Sequence, residues 1–170
     1  MLAKAAKQAA KDYLLWPLLS GPSAVPALLG NLTANTVRNI WSHTIIFCGH
    51  FPDGVEEFTE DQIEGETRAQ WYLRQVQGSA NIEGSPLFHM MSGNLSHQIE
   101  HHLFPDLPSN RYAEIAPRVR AVCERYGLPY NTGPLSHQYL STWRRILRLA
   151  LPTPTPEPAP ESSSRLRAAA

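Results

Sequence analysis

The sequence predicts an all-α protein: one membrane-spanning helix followed by a further helical part. Three observations carry this expectation. Residues 26–51 exceed the roughly 20 residues a helix needs to cross the hydrocarbon layer, and they contain almost no charge. Three of the seven histidines, His97, His101 and His102, fall close together at helical spacing. Beyond them apolar residues recur every three or four positions, at Ile115, Val119, Val122, Cys123 and Tyr126 and again at Tyr139, Trp143, Ile146, Leu147 and Ala150, which is the period of an amphipathic helix.

Taken in order, residues 1–25 read as an amphipathic and then irregular approach to a membrane. Lys4, Lys7 and Lys11 share one face opposite alanines, which suits a membrane surface. Pro17, Gly21, Pro22 and Pro26 then interrupt an apolar stretch, and proline disrupts helix interiors. In the transmembrane helix expected over 26–51, the polar residues Asn31, Asn35, Arg38, Asn39, Ser42, His43 and His50 follow one stripe, opposite Leu28, Leu29, Leu32, Val37 and Ile40. Polar residues within a membrane face a protein interior or a water-filled cavity, so the stripe implies packing against other helices. An amphipathic helix of a soluble core has the same pattern, and Arg38 in mid-span fits that alternative unless another helix covers it. His43 is expected as a buried hydrogen-bonding residue. Lysines before the span and arginines after it leave its orientation open.

Residues 52–151 form the expected helical part, opening with an acidic run, Glu56 to Glu66, read as a solvated face. A helix over 86–103 carries the histidines, with Pro105 as its stop. A second runs from a cap at Ser109 or Asn110 to Tyr126, with Gly127 as the C-terminal signal and Pro117 marking its first turns as a separate short piece. A third covers 135–151, its apolar line opposite Arg144, Arg145 and Arg148. Residues 152–170 are rich in proline and serine and predict a disordered tail.

Fifteen basic and fifteen acidic residues give a formal net charge of zero, so no nucleic-acid partner is expected. The sequence has no phosphate-cradling glycine loop and no nucleophile triad. Cys48 and Cys123 stand far apart, which predicts no disulfide framework and a reducing location. No secretory signal is evident at the start.

The chemistry concentrates at residues 94–105. Histidine is the commonest metal ligand near neutral pH, and helix positions three and four apart are neighbours. Gln98, His101 and His102 stand at i, i+3 and i+4 and converge beside one helix, as a cluster of metal ligands would. Glu100, between them, is expected to orient an imidazole rather than to bind metal. His97 lies four residues before His101 and admits two roles: a ligand, including half of a two-histidine zinc site, or a supporting position outside the ligand set. His89 and His137 read as ordinary polar positions.

Gln98-Ile99-Glu100-His101-His102-Leu103-Phe104-Pro105 resembles the third histidine box of the membrane fatty acid desaturases, in its Gln-x-x-His-His form. Trp71 to Val76 with Ser79-Ala80-Asn81 resembles the segment leading into that box, Leu107 to Tyr112 the segment after it, and Tyr126 to Tyr130 the family's distal end. Phe47-Cys48-Gly49-His50-Phe51-Pro52-Asp53-Gly54 is similar to mycobacterial-type acyl-CoA desaturases. The resemblance implies the C-terminal part of a membrane helical desaturase, integral to the cell membrane with the box facing the cytosol. It implies an oxygen-dependent insertion of a double bond into an acyl-CoA or acyl-lipid, of the stearoyl-CoA 9-desaturase kind, with a linoleoyl-type or front-end desaturase as the near alternative. The implied cofactor is a di-iron centre, with electrons from NAD(P)H through a separate reductase or ferredoxin. His50 joins Gln98, His101 and His102 as an implied ligand, and Asn94, four residues before Gln98, is placed to hold an iron-bound water.

The family's two earlier boxes, His-x(3–4)-His and His-x-x-His-His, do not occur here. A di-iron centre needs about eight or more protein donors, since each iron prefers five or six, and the count here stops short of that. An N-terminal half must supply the remainder. Without one, the chain is an inactive desaturase fragment or, using His97 and His101, a small zinc-binding helical protein.

Overall fold

The computed structural model describes residues 2–151; the expected tail over 152–170 lies outside the described residues. The amphipathic start is helix α1 (Leu2–Ala10), followed by a π-helical turn at Lys11–Leu15, the short α2 (Trp16–Leu19), a 3₁₀ turn at Gly21–Ser23 and the long α3 (Ala24–His50). The polar stripe of α3 is partly used by this approach segment. Asn31 Nδ2 donates to the Asp12 carbonyl at 2.6 Å, and Asn35 Nδ2 donates to Asp12 Oδ2 and Tyr13 Oη at 3.3 and 3.0 Å.

The expectation of a transmembrane helix over 26–51 is corrected. Helix α3 has 27 residues and is long enough, but among the described residues no helix is both long and apolar enough to cross a membrane. The reason is the stripe itself, because Asn31, Asn35, Arg38, Asn39 and Ser42 dilute the apolar side chains. His43 is not buried either: it is exposed and stacks on Phe47, ring centroids 3.9 Å apart.

After α3 come two short helices with matched starts. In α4 (Glu60–Ile63) and α5 (Arg68–Gln77), Thr59 and Thr67 form capping boxes with Gln62 and Gln70, each satisfying amides that a helix start leaves unpaired. Glu66, in the acidic run, makes a two-point ion pair with Arg74 at 2.8 and 2.6 Å.

Next is a strand, β1 (Asn81–Glu83), which pairs in parallel with β2 (Thr132–Pro134) in the register Asn81↔Thr132, Ile82↔Gly133, Glu83↔Pro134. The mostly helical architecture is as expected, but this ladder is not. Parallel strands need a long crossover, and here the crossover carries the histidine box. It consists of α6 (Pro86–Met91), α7 (Gln98–Leu103) and α8 (Tyr112–Tyr126).

The single helix expected over 86–103 is therefore two. Gly93 and Asn94 both adopt left-handed backbone, with φ of 63° and 61°, and a glycine–asparagine pair accepts that geometry where most residues do not. Conversely, α8 runs unbroken through Pro117, and its end is the left-handed Gly127 at φ 64°. Its start is not capped by a Ser109 or Asn110 side chain; those residues form a 3₁₀ turn ahead of it.

Helix α9 (Leu135–Ala150) follows β2 directly, and it packs with the unexpected side inward. Gln138, Ser141 and Thr142 are buried, whereas Tyr139, Leu140, Trp143 and Leu147 are exposed. Two apolar clusters anchor the whole. Ile99 and Leu103 of α7 pack with Val76 and Cys123, between α5 and α8. Ile45 and Cys48 of α3 pack with Ile82 of β1. Both cysteines are buried and free.

Candidate metal centre

The box helix is only six residues long, too short to be stable by its own hydrogen bonds. Tertiary contacts hold it. Ile99 and Leu103 bury one side in the α5–α8 core. At its start the amide of Ile99 donates to Asn81 Oδ1 at 2.9 Å, so a side chain from β1 caps a helix eighteen residues away. Glu100 is fully buried, and its two oxygens accept from Asn81 Nδ2 and Tyr130 Oη, each at 2.8 Å. The carboxylate thus pins the helix to β1 and to the segment before β2. The imidazole it approaches is that of His97, at 3.9 Å.

The opposite side of α7 meets the end of α3. His102 Nε2 lies 3.2 Å from Gln98 Nε2 and 3.4 Å from His50 Nε2. Residues separated by fifty-two positions thus meet at one point. The approach depends on Gly49, where an added Cβ would fall 3.0 Å from Gln98 Cγ. His101 sits alongside, its ring 5.6 Å from that of His102, with Nδ1 held 3.1 Å from the buried hydroxyl of Tyr112. That contact leaves Nε2 as the ring's outward nitrogen, the kind of arrangement that orients metal-binding histidines.

Asn94 and His97 are not brought to this point by the helix. Asn94 lies in the left-handed turn before α7 rather than on the same helical face. His97 stands just before α7 and turns the other way, stacked on His89 with ring centroids 4.5 Å apart. The two border a separate cavity of about 340 Å³, lined also by Glu83, Arg120 and Tyr130. His89, read as an ordinary polar position, holds Ser96 Oγ at 2.7 Å through Nδ1. A zinc pair of His97 with His101 finds no support, because the two rings keep different company.

The electrostatics suit uncharged imidazoles. Burial, and then the neighbouring His50 and His101, holds His102 down to about 4. Burial, and then His89, holds His97 to about 4 as well. Neutral imidazole is the form that ligates metal. At the cluster Gln98 Oε1 is buried with no hydrogen-bond partner, a costly state that a ligand would relieve. Amide orientation is assigned from hydrogen bonding, and turning Gln98 over would present its oxygen to the histidines. The donor set therefore fits a transition metal. It is incomplete by itself: among the described residues no three His, Cys, Asp or Glu side chains form a group able to hold an ion. A cleft of about 230 Å³, lined by Phe58, Ile63, Arg74 and Gly78, opens beside His102.

Asn81, Tyr112, Tyr130 and Gly49 lie in segments that resemble the family, but no local spacing along the chain ties them to the box.

The family model for fatty acid desaturases matches residues 3–134. The NADPH-dependent stearoyl-CoA 9-desaturase of two Mycobacterium tuberculosis strains is 55% identical over 154 residues, 88% of this chain and 36% of that protein. Human fatty acid desaturase 3 is 38% identical over 107 residues, 63% of this chain and 22% of that protein. The sn-1 linoleoyl-lipid 6-desaturase of Synechocystis is 29% identical over 129 residues, 71% of this chain and 36% of that protein. No solved structure matches the chain. The chain spans about a third of the length of the mycobacterial relatives. A box of this form, met by a histidine at the end of α3 and matched by the family model over most of the chain, makes this a member of the fatty acid desaturase family.

Proposed function

We propose that this chain is the C-terminal, ligand-bearing part of an oxygen-dependent fatty acyl-CoA desaturase that introduces a double bond at the ninth carbon of a stearoyl-type chain. The observation that carries the reading is the half-buried meeting of His50, Gln98 and His102, with Gln98 Oε1 unpartnered, in a chain of this family. Gln98, His101, His102 and His50 would hold iron. Asn94 would serve through water if its turn rearranges, and His97 would remain outside the ligand set. A pair of irons, when bound, supplies the power to remove hydrogen from an unactivated methylene using oxygen.

This chain's residues do the holding. Tyr112 orients His101, Gly49 lets α3 approach Gln98, and Asn81 caps the box helix. The remaining donors would come from an N-terminal half, and electrons from NADPH through a separate reductase or ferredoxin. The higher identity and coverage of the 9-desaturase relatives favour a stearoyl-type acyl-CoA over a linoleoyl-lipid. Membrane attachment is supported by the apolar residues left exposed along α2, α3 and α9, Leu18, Leu29, Val37, Ile40, Leu140 and Leu147 among them. The cytosol is the side expected for the box.

The test is His101→Ala in the assembled enzyme supplied with stearoyl-CoA, NADPH and reductase. Product analysis by gas chromatography should find no oleate, and iron per assembly should fall. Undiminished desaturation would sink the ligand assignment.

A further inference from the structure

Helix α9 is packed inside out. A helix on a soluble core turns its apolar side inward and its charged side to water. In α9 the buried side carries Gln138, Ser141 and Thr142, and the exposed side carries Tyr139, Leu140, Trp143 and Leu147. The helix cannot roll over to reverse this. Gln138 Nε2 donates to the Asn81 carbonyl at 3.2 Å, and Arg145 donates to the carbonyls of Pro52 and Val55 and pairs with Glu57. Trp143 is also set against α3, its ring centroid 6.2 Å from that of His43 and 6.2 Å from that of Tyr139. The polar contacts thus hold the apolar side outward. On α3, against which α9 packs, Ile40 and Ile46 are exposed as well.

That outward side has a charged border. Arg144 and Arg148 lie one turn apart, and Arg144 is a helical neighbour of both Leu140 and Leu147. Both arginines are exposed. Among the described residues neither has a hydrogen-bond or ion-pair partner, in contrast to Arg145. An apolar sector with tryptophan and tyrosine, bordered by unpaired arginines, is the surface of a helix that lies in the plane of a membrane. Aromatic rings settle there at headgroup level. Arginine stems run along apolar surface while their guanidinium groups reach out to phosphates.

We propose that α9 is an interfacial helix that seats this part of the chain on an anionic phospholipid surface, with Trp143 and Leu147 in the acyl boundary and Arg144 and Arg148 on the headgroup phosphates. The proposal rests on the membrane attachment and the cytosol-facing box inferred above. It adds which lipids are bound and by which side chains, since the cytosolic leaflet is the one that carries anionic lipid. Because Arg145 ties α9 to the loop that leaves His50, the same helix sets the metal end of α3 at headgroup level.

The test is flotation of the 170-residue chain with vesicles of phosphatidylcholine alone or mixed with phosphatidylglycerol. The wild type should bind the mixed vesicles more tightly, and the preference should fade at high salt. Arg144→Gln with Arg148→Gln keeps the apolar side. It should lower affinity for the mixed vesicles by roughly fivefold per arginine, about thirtyfold together, while binding to phosphatidylcholine alone stays at the wild-type level. Arg118→Gln with Arg125→Gln removes the same charge from the exposed side of α8 and should keep the wild-type preference. Lipids brominated in the acyl chain should quench the part of the tryptophan emission that Trp143→Phe removes. The proposal is overturned if the α9 double variant keeps the wild-type preference or if the α8 double variant loses as much. It is overturned equally if Trp143 is unquenched in the bound chain, which would mean that another protein covers α9. Failure of the wild type to bind either vesicle would instead sink the membrane reading itself, and this proposal with it.

Discussion

A Cβ at Gly49 would lie 3.0 Å from Gln98 Cγ and 3.3 Å from both Gln98 Cβ and Cδ. These are the inner atoms of the side chain, which cannot swing aside as its tip could. Gly49→Ala should therefore push α3 and α7 apart and separate His50 from His102. The shift needed is a few tenths of an ångström, so the assembled enzyme should lose part of its desaturase rate while retaining its fold by circular dichroism. An unchanged rate would mean the His50–His102 contact is dispensable. A second residue-level prediction concerns pH. His97 and His102 are held down to about 4 in the folded chain, against about 6.5 for an unperturbed histidine. Between those values the unfolded chain binds more protons than the folded one, so stability is full above pH ~6.5 and declines as pH falls toward 4, by on the order of 2 kcal/mol for each histidine. Denaturant melts from pH 7 to 4 should show the decline, and replacing both histidines with glutamine should reduce it, leaving the smaller part due to His50, which burial also holds below its ordinary value. The histidines themselves were legible in the sequence. Their partners were not, because Tyr112 and Tyr130 come from elements that meet the box only after folding.

Helix α9 shows why periodicity alone misplaced a face. Its apolar line, Tyr139, Trp143 and Leu147, was easy to read, yet the side turned inward carries Gln138, Ser141 and Thr142. Gln138 Nε2 donates to the Asn81 carbonyl at 3.2 Å. Arg145, which the sequence left on the outer basic face, is spent inside the molecule. It donates to the carbonyls of Pro52 and Val55 at 3.3 and 3.1 Å and pairs with Glu57 at 2.7 Å. These contacts tie down the loop that leaves His50. Arg145→Ala should cost roughly 1–3 kcal/mol by stranding those carbonyls, and hydrogen exchange should rise selectively over residues 51–57. Uniform protection in that loop would contradict the strut. The box helix is another case at this scale. Gln98, His101 and His102 do share one short helix, but its extension back to Pro86 failed because Gly93 and Asn94 take left-handed turns.

At the level of the whole molecule, apolar side chains remain uncovered along α2, α3 and α9, including Leu18 at 76%, Leu29 at 57% and Leu147 at 60% exposure. Contiguous exposed apolar surface marks contact with a partner or a membrane. The chain without detergent should therefore sediment with phosphatidylcholine vesicles, and a soluble monomer after flotation would exclude that contact. By itself the sequence determined the chemistry of neighbours: the Gln98–His101–His102 spacing, the cap signals, the Gly127 stop and the family. These depend on side chains within a helical turn of one another or on matched segments, and so are written along the chain. Only the tertiary structure decided that His50 meets His102, that His97 turns to His89, and that Glu100 faces Asn81 and Tyr130. Each of those pairings is fixed by the way α7 wedges between the α5–α8 core and the α3–β1 core, where burial of Ile99 and Leu103 leaves the helix one orientation.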